Sequence, residues 1–188
     1  MHKLFEAAVE IQKWLIVNNI HFCFIGGIAN IRWGEIRITN DVDLTVLCGF
    51  GNEETISKVL LDKFRSRISD PIPFAINQRV LLLLSSEGIP IDVALSGLDF
   101  EEEMIKRSSG FEISPGINLL TCSAEDLIVT KAFANRPKDI QDIESIINRQ
   151  QEKLVRQYIL ETLEPLAELK GDKSLVSQLK ERLKSSSV

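Results

Sequence analysis

The stretch that most constrains this chain is Asp41-Val-Asp-Leu-Thr-Val46. Side chains on a β-strand alternate between its two faces. Val42, Leu44 and Val46 therefore share one face of a strand, and Asp41, Asp43 and Thr45 the other. Residues two apart along a strand are roughly 6.5–7 Å apart at Cα, so the Asp41 and Asp43 carboxylates can converge on one metal site. Upstream, Ile20 to Ile25 is a short apolar run that reads as a buried strand, and it ends in Gly26-Gly27. A short helix follows over Ile28 to Trp33, stopped by Gly34. Paired glycines let backbone N–H groups approach a phosphate, and a helix start adds a favourable dipole. Either pair alone is a weak signal, because most Gly-Gly pairs are turns and most strand-end acids are solvated. Their order carries the weight: apolar strand, Gly-Gly, short helix, polar connector, then the alternating acid strand.

A third acid stands in a similar setting. Val80 to Leu84 predicts a strand, Ser85 to Gly88 a turn, and Ile89 to Leu95 a returning strand. Ile91, Val93 and Leu95 share a face of that strand, and Asp92 lies on the other. The bland reading of Asp92 is an ion pair with a nearby base such as Arg79. Around these strands, residues 3–18 and Glu53 to Phe64 have helical spacing, and Pro71 and Pro73 mark a loop. Phe100 to Arg107 predicts a short acidic helix, and Phe111 to Ile113 with Ile117 to Thr121 a hairpin. Ser123-Ala-Glu-Asp126 has capping-box spacing and opens a helix running to about Asn135. Pro137 permits a new helix start, with Ile140, Ile143, Ile146 and Ile147 on one side, and two further helices divide at Gly171-Asp172.

The sequence of 188 residues suits one domain with a small appendage. A net charge of -5 argues against a uniformly basic surface for nucleic acid. A local basic cleft drawn from Arg32, Arg37, Arg65, Arg67, Lys106 and Arg107 stays open. Cys23, Cys48 and Cys122 each lie in or beside apolar runs, which predicts reduced core thiols. No signal peptide or membrane span is evident, so the expected location is cytoplasmic.

The combination resembles the nucleotidyltransferase superfamily typified by DNA polymerase beta. Gly26-Gly27, Asp41-Val-Asp43 and Asp92 match its signature in order and spacing. Within it the chain is most similar to small bacterial AbiEii/MenT-type and minimal nucleotidyltransferases. The run Arg37-Ile-Thr-Asn-Asp-Val-Asp-Leu44 carries that likeness, with Glu125 to Lys131 and Ala134 to Ile143 downstream. The resemblance implies an α/β fold: a small mixed β-sheet with flanking helices and a helical C-terminal extension. It divides the chain into a nucleotidyltransferase core, 1–122, and a helical region, 123–188, packed on that core.

The implied chemistry is transfer of a nucleoside monophosphate from an NTP to a hydroxyl, with release of pyrophosphate and two Mg²⁺ ions. Asp41, Asp43 and Asp92 are the implied metal-binding and catalytic acids. Gly26 and Gly27 would hold the β- and γ-phosphates, with ATP among the candidate nucleotides. Arg37 would contact phosphate or brace Asp41 and Asp43. Lys131 would reach the triphosphate or pair with Asp139 or Asp142; those two acids and Asp126 read as structural. Trp33 would stack a base or pack on the sheet. The implied acceptor is tRNA, a partner protein or a small molecule, and a toxin–antitoxin setting with a cognate toxin or antitoxin belongs to the same resemblance. The competing class is a non-catalytic module of the same fold that neutralises a toxin. Acids held apart, or bridged to bases without room for metal, would favour it.

Overall fold

The computed structural model describes residues 3–185. In chain order its elements are α1 (Lys3–Val17), β1 (Phe22–Phe24), α2 (Gly26–Trp33), β2 (Val42–Val46), α3 (Glu53–Leu61), β3 (Arg65–Ser66), α4 (Pro71–Gln78), β4 (Val80–Leu84), β5 (Pro90–Leu95), α5 (Asp99–Lys106), β6 (Ser109–Ser114), β7 (Ile117–Thr121), α6 (Ala124–Ala134), α7 (Pro137–Gln150), α8 (Arg156–Lys170) and α9 (Ser174–Ser185). The chain separates into two compact units. The first is Met1–Ile28 with Ile38–Cys122; the second is Ala29–Arg37 with Ser123–Val188. Residues 29–37 thus belong with the C-terminal helices.

The first unit holds a mixed sheet in the order β3-β4-β5-β2-β1-β7-β6. The β2–β5 and β1–β7 pairs are parallel and the others antiparallel. Alternation decides its faces. Val42, Leu44 and Val46 of β2, Leu81 and Leu83 of β4, and Ile91, Val93 and Leu95 of β5 are buried in one apolar core. Leu4, Ala8, Ile11 and Leu15 meet that core from α1, at the three- and four-residue spacing of a helical stripe. Asp43, Leu82 and Asp92 lie between these positions and are only half-buried. Cys23, Cys48 and Cys122 are buried and outside any disulfide.

Pro71 and Pro73 lie in the first turn of α4 rather than in a loop. The first N–H groups of a helix have no intrahelical partner, so proline there loses nothing and supplies a suitable φ. The helix closes at Arg79, left-handed at φ 54°, whose N–H donates to the Ala75 carbonyl at 2.9 Å. The Arg79 guanidinium donates to the Ser96 carbonyl at 2.6 Å and the Gly49 carbonyl at 3.0 Å, and it pairs with Glu53. Asp92 therefore has a different partner from the one its sequence neighbourhood suggested.

In the second unit, Ser123 caps α6 by accepting from the Asp126 N–H at 3.0 Å. The buried Asp126 carboxylate accepts from Ser123 Oγ at 2.7 Å and from the Tyr158 hydroxyl at 2.6 Å, which ties α8 to the start of α6. Among the described residues no helix is long and apolar enough to cross a membrane.

Candidate active site

Strands β2 and β5 run side by side with Asp43 opposite Asp92 at Cα. Neighbouring strands lie about 4.8 Å apart and paired residues project from the same face. Two acids far apart in sequence thus become neighbours through register alone. Asp41 immediately precedes β2, and its charge reaches Asp92. Burial, chiefly, and the Asp41 charge push the Asp92 carboxyl above its ordinary value, while Arg67 works the other way.

The glycine pair makes room for these acids. The Ile25 N–H donates to the Asp43 carbonyl at 3.0 Å, so the chain leaving β1 is still held against β2 as it turns into α2. Gly26 adopts φ +55°, and a Cβ there would stand 2.0 Å from Asp43 Oδ2. Gly27 donates its N–H toward Asp43 Oδ2 at 3.4 Å. A Cβ on Gly27 would stand 2.3 Å from Thr39 Oγ1. The Thr39 hydroxyl in turn donates to Asp41 Oδ1 at 2.8 Å. Each glycine thus lies against a side chain that either is, or holds, one of the paired acids. Thr39 falls inside the run that carries the family likeness, but nothing in the sequence gave it a task.

Arg67 is the other unanticipated member. Its backbone N–H donates to the Leu82 carbonyl at 3.0 Å, which extends the β3–β4 pairing by one residue. Leu82 is the Cα partner of Asp92. The Arg67 guanidinium crosses that strand and bonds Asp92 Oδ1. Only the register of three strands reveals this pair.

The donor set has the chemistry of a hard-cation site, because carboxylate oxygens suit Mg²⁺. The side chains are, however, held by protein partners: Arg67 on Asp92, the Thr39 hydroxyl on Asp41 and the Gly27 N–H on Asp43. Among the described residues no three His, Cys, Asp or Glu side chains gather into a metal cage. Asp43 and Asp92 are neighbours in register, and Asp41, Asp43 and Asp92 are all half-buried.

Arg37 and Lys131 converge on one buried acid of the second unit. Arg37 makes a two-pronged pair with Asp142, Nε to Oδ1 at 2.8 Å and Nη2 to Oδ2 at 2.9 Å. Lys131 Nζ lies 2.5 Å from Asp142 Oδ2 and 3.7 Å from Asp139 Oδ1, and its side chain is 7% exposed. Burial works to raise the Asp142 carboxyl, and Arg37 and Lys131 outweigh it, so the group sits below the usual carboxylate range. Of the two roles open for Lys131, this geometry supports the joining of α6 to α7. Trp33 is half-buried with the Arg32 guanidinium 4.0 Å from its ring centre. Of the six residues considered for a basic cleft, Arg37 and Arg67 are committed to acids, as are Lys106, on Glu102 and Glu103, and Arg107, on Glu103. A groove of about 500 Å³ runs along α1, lined by Val9, Trp14, Val17 and Lys63 among others, and none of the candidate site residues lines it.

Among solved structures, the chain is similar to an antigenic nucleotidyltransferase-like protein from Paracoccidioides brasiliensis, at 20% identity and a TM-score of 0.51, covering 94% of this chain and 91% of that one. It is also similar to the lincosamide antibiotic adenylyltransferase LnuA bound to lincomycin, at 12% identity and TM-score 0.51, covering 78% and 96%. A third likeness is to ANT(2")-Ia in complex with adenylyl-2"-tobramycin, at 14% identity and TM-score 0.50, covering 96% and 97%. These likenesses are of fold. No curated protein matches the chain by sequence. The profile of a family described as "Nucleotidyltransferase of unknown function (DUF6036)" matches residues 2–184. With nearly the whole sequence matched and the superfamily's mixed sheet in place, the chain belongs to that nucleotidyltransferase family.

Proposed function

We propose that this chain transfers a nucleoside monophosphate from an NTP to a hydroxyl acceptor at the Asp41, Asp43 and Asp92 cluster. The observation that carries the reading is the Asp43–Asp92 register, with Asp41 within electrostatic reach. These three carboxylates would hold divalent metal, with Mg²⁺ the expected ion. Bound there, the metal supplies positive charge to the attacking and leaving oxygens. In the transfer, an acceptor oxygen bonds the α-phosphorus, the bond to the β-phosphate oxygen breaks, and pyrophosphate leaves. The acceptor proton is assigned to Asp92, the acid that lies opposite Asp43 on the neighbouring strand. The N–H groups at Gly26 and Gly27, at the start of α2, are assigned to the β- and γ-phosphates.

The acceptor classes are a tRNA end, a partner-protein hydroxyl, as in a toxin–antitoxin pair, and a small molecule. The antibiotic adenylyltransferases among the fold neighbours make the small molecule a class to test first. Incubation with each α-labelled NTP, Mg²⁺ and cell extract, resolved into RNA, protein and small-molecule fractions, identifies it. Label should appear in one fraction and be lost with Asp43→Ala. The Arg67–Asp92 pair favours the second reading, a non-catalytic module of the same fold. No label from any NTP, together with no Mg²⁺-NTP thermal shift, would establish that reading over this one.

A further inference from the structure

We propose that Arg67 is a resident cation of the acid cluster: it holds off free divalent metal and yields Asp92 only to metal that arrives with a nucleotide. The inference rests on the metal-dependent reading above and concerns how the same site is loaded. A single transverse row crosses the sheet, Arg67 beside β4, Leu82 on β4, Asp92 on β5 and Asp43 on β2. Asp41 adjoins the end of that row. The acids contribute three negative charges to a small, half-buried patch, and Arg67 contributes one positive charge bonded directly to Asp92.

Charge decides what this arrangement admits. A free divalent cation is attracted by the carboxylates but must displace, or lie beside, a fixed guanidinium. A metal–triphosphate complex carries net negative charge, and to it the same guanidinium is attractive. Its phosphate oxygens also offer the guanidinium a new two-pronged partner as Asp92 is released. The pair is built to open. The side chains of Arg67 and Asp92 are 29% and 37% exposed, so the guanidinium can swing without disturbing the core. Its backbone stays fixed by the bond to Leu82. Arg67 is thus a positioning residue, acting through Asp92.

Manganese titration followed by the electron paramagnetic resonance of free Mn²⁺ tests this, first with Mn²⁺ alone and then with ATP, GTP, CTP or UTP. Removing a nearby unit charge from a divalent site changes affinity by roughly tenfold when solvent screens the pair. Arg67→Gln should bind Mn²⁺ alone about tenfold more tightly than the wild type. It should also lose about tenfold of the enhancement that nucleotide confers, and Arg67→Lys should keep most of it. In the unaltered protein, the Arg67 Nε–H resonance should move when Mg²⁺ and nucleotide are added together and stay in place with Mg²⁺ alone. Equal Mn²⁺ affinities and equal enhancement in wild type and Arg67→Gln, or a resonance unmoved by either addition, would overturn the proposal. Wild-type protein that binds no Mn²⁺ under any condition would instead overturn the metal reading itself, and this proposal with it.

Discussion

Replacing Gly26 by alanine separates the site from mere backbone strain. Gly26 and Gly88 both occupy left-handed backbone, at φ +55° and +77°. An L-residue in that region costs roughly 1–2 kcal/mol. Around Gly88 nothing lies within 4 Å of an added Cβ, so Gly88→Ala should show that strain alone. At Gly26 the added Cβ would stand 2.0 Å from Asp43 Oδ2, 2.5 Å from its Cγ and 2.6 Å from its Cβ. The Asp43 Cβ belongs to a residue fixed in β2 and cannot rotate away. Overpacking of this kind adds about 1–3 kcal/mol. Gly26→Ala should therefore lose about 2–5 kcal/mol against about 1–2 kcal/mol for Gly88→Ala. At about 2–4 °C per kcal/mol for a chain of this size, calorimetry resolves the difference. The functional contrast should be larger, because displacing a reacting group by about 1 Å can cost on the order of 100-fold in rate. Gly26→Ala should lose that much NMP transfer while Gly88→Ala keeps it. Equal melting points and equal activities would refute the placement of Asp43 against Gly26.

Three further outcomes follow from the same contacts. Asp142→Asn leaves the Arg37 guanidinium and the Lys131 ammonium around a neutral amide, and breaking such a buried pair should cost about 3–5 kcal/mol in a denaturant titration. Because Asp142 is held below the usual carboxylate range, its contribution is complete above the unfolded value and is lost as pH falls through the folded one. Wild-type stability should fall more steeply than that of Asp142→Asn below about pH 5, by thermal melts across pH. Thr39→Val removes the 2.8 Å hydrogen bond to Asp41, a loss of about 0.5–1.5 kcal/mol, and should weaken transfer several-fold with the circular dichroism spectrum unchanged.

The parts of the fold that were legible in the sequence are those set by local period. The alternation of β2, β4 and β5 announced both which residues enter the core and which face carries the acids. The helix start at Ser123, which caps α6 through its side chain, and the Pro137 start of α7 read correctly for the same local reason. Pro71 and Pro73 misled because the same residue that breaks a helix interior is welcome in its first turn. What could not be read was register. Nothing near Asp92 names Arg67 as its partner, and proximity in sequence pointed to Arg79, which is committed to Glu53. Likewise, the commitment of Arg37 to Asp142, 105 residues away, has no local trace.

The central claim is that Asp41, Asp43 and Asp92 act together as a metal–nucleotide site. Its most direct measurement is Mn²⁺ binding, in the presence of the nucleotide that supports transfer, by wild type and by Asp41→Asn, Asp43→Asn and Asp92→Asn separately. The account predicts that each substitution weakens Mn²⁺ binding at least tenfold while leaving the fold intact. Mn²⁺ binding unchanged across all three variants would contradict it.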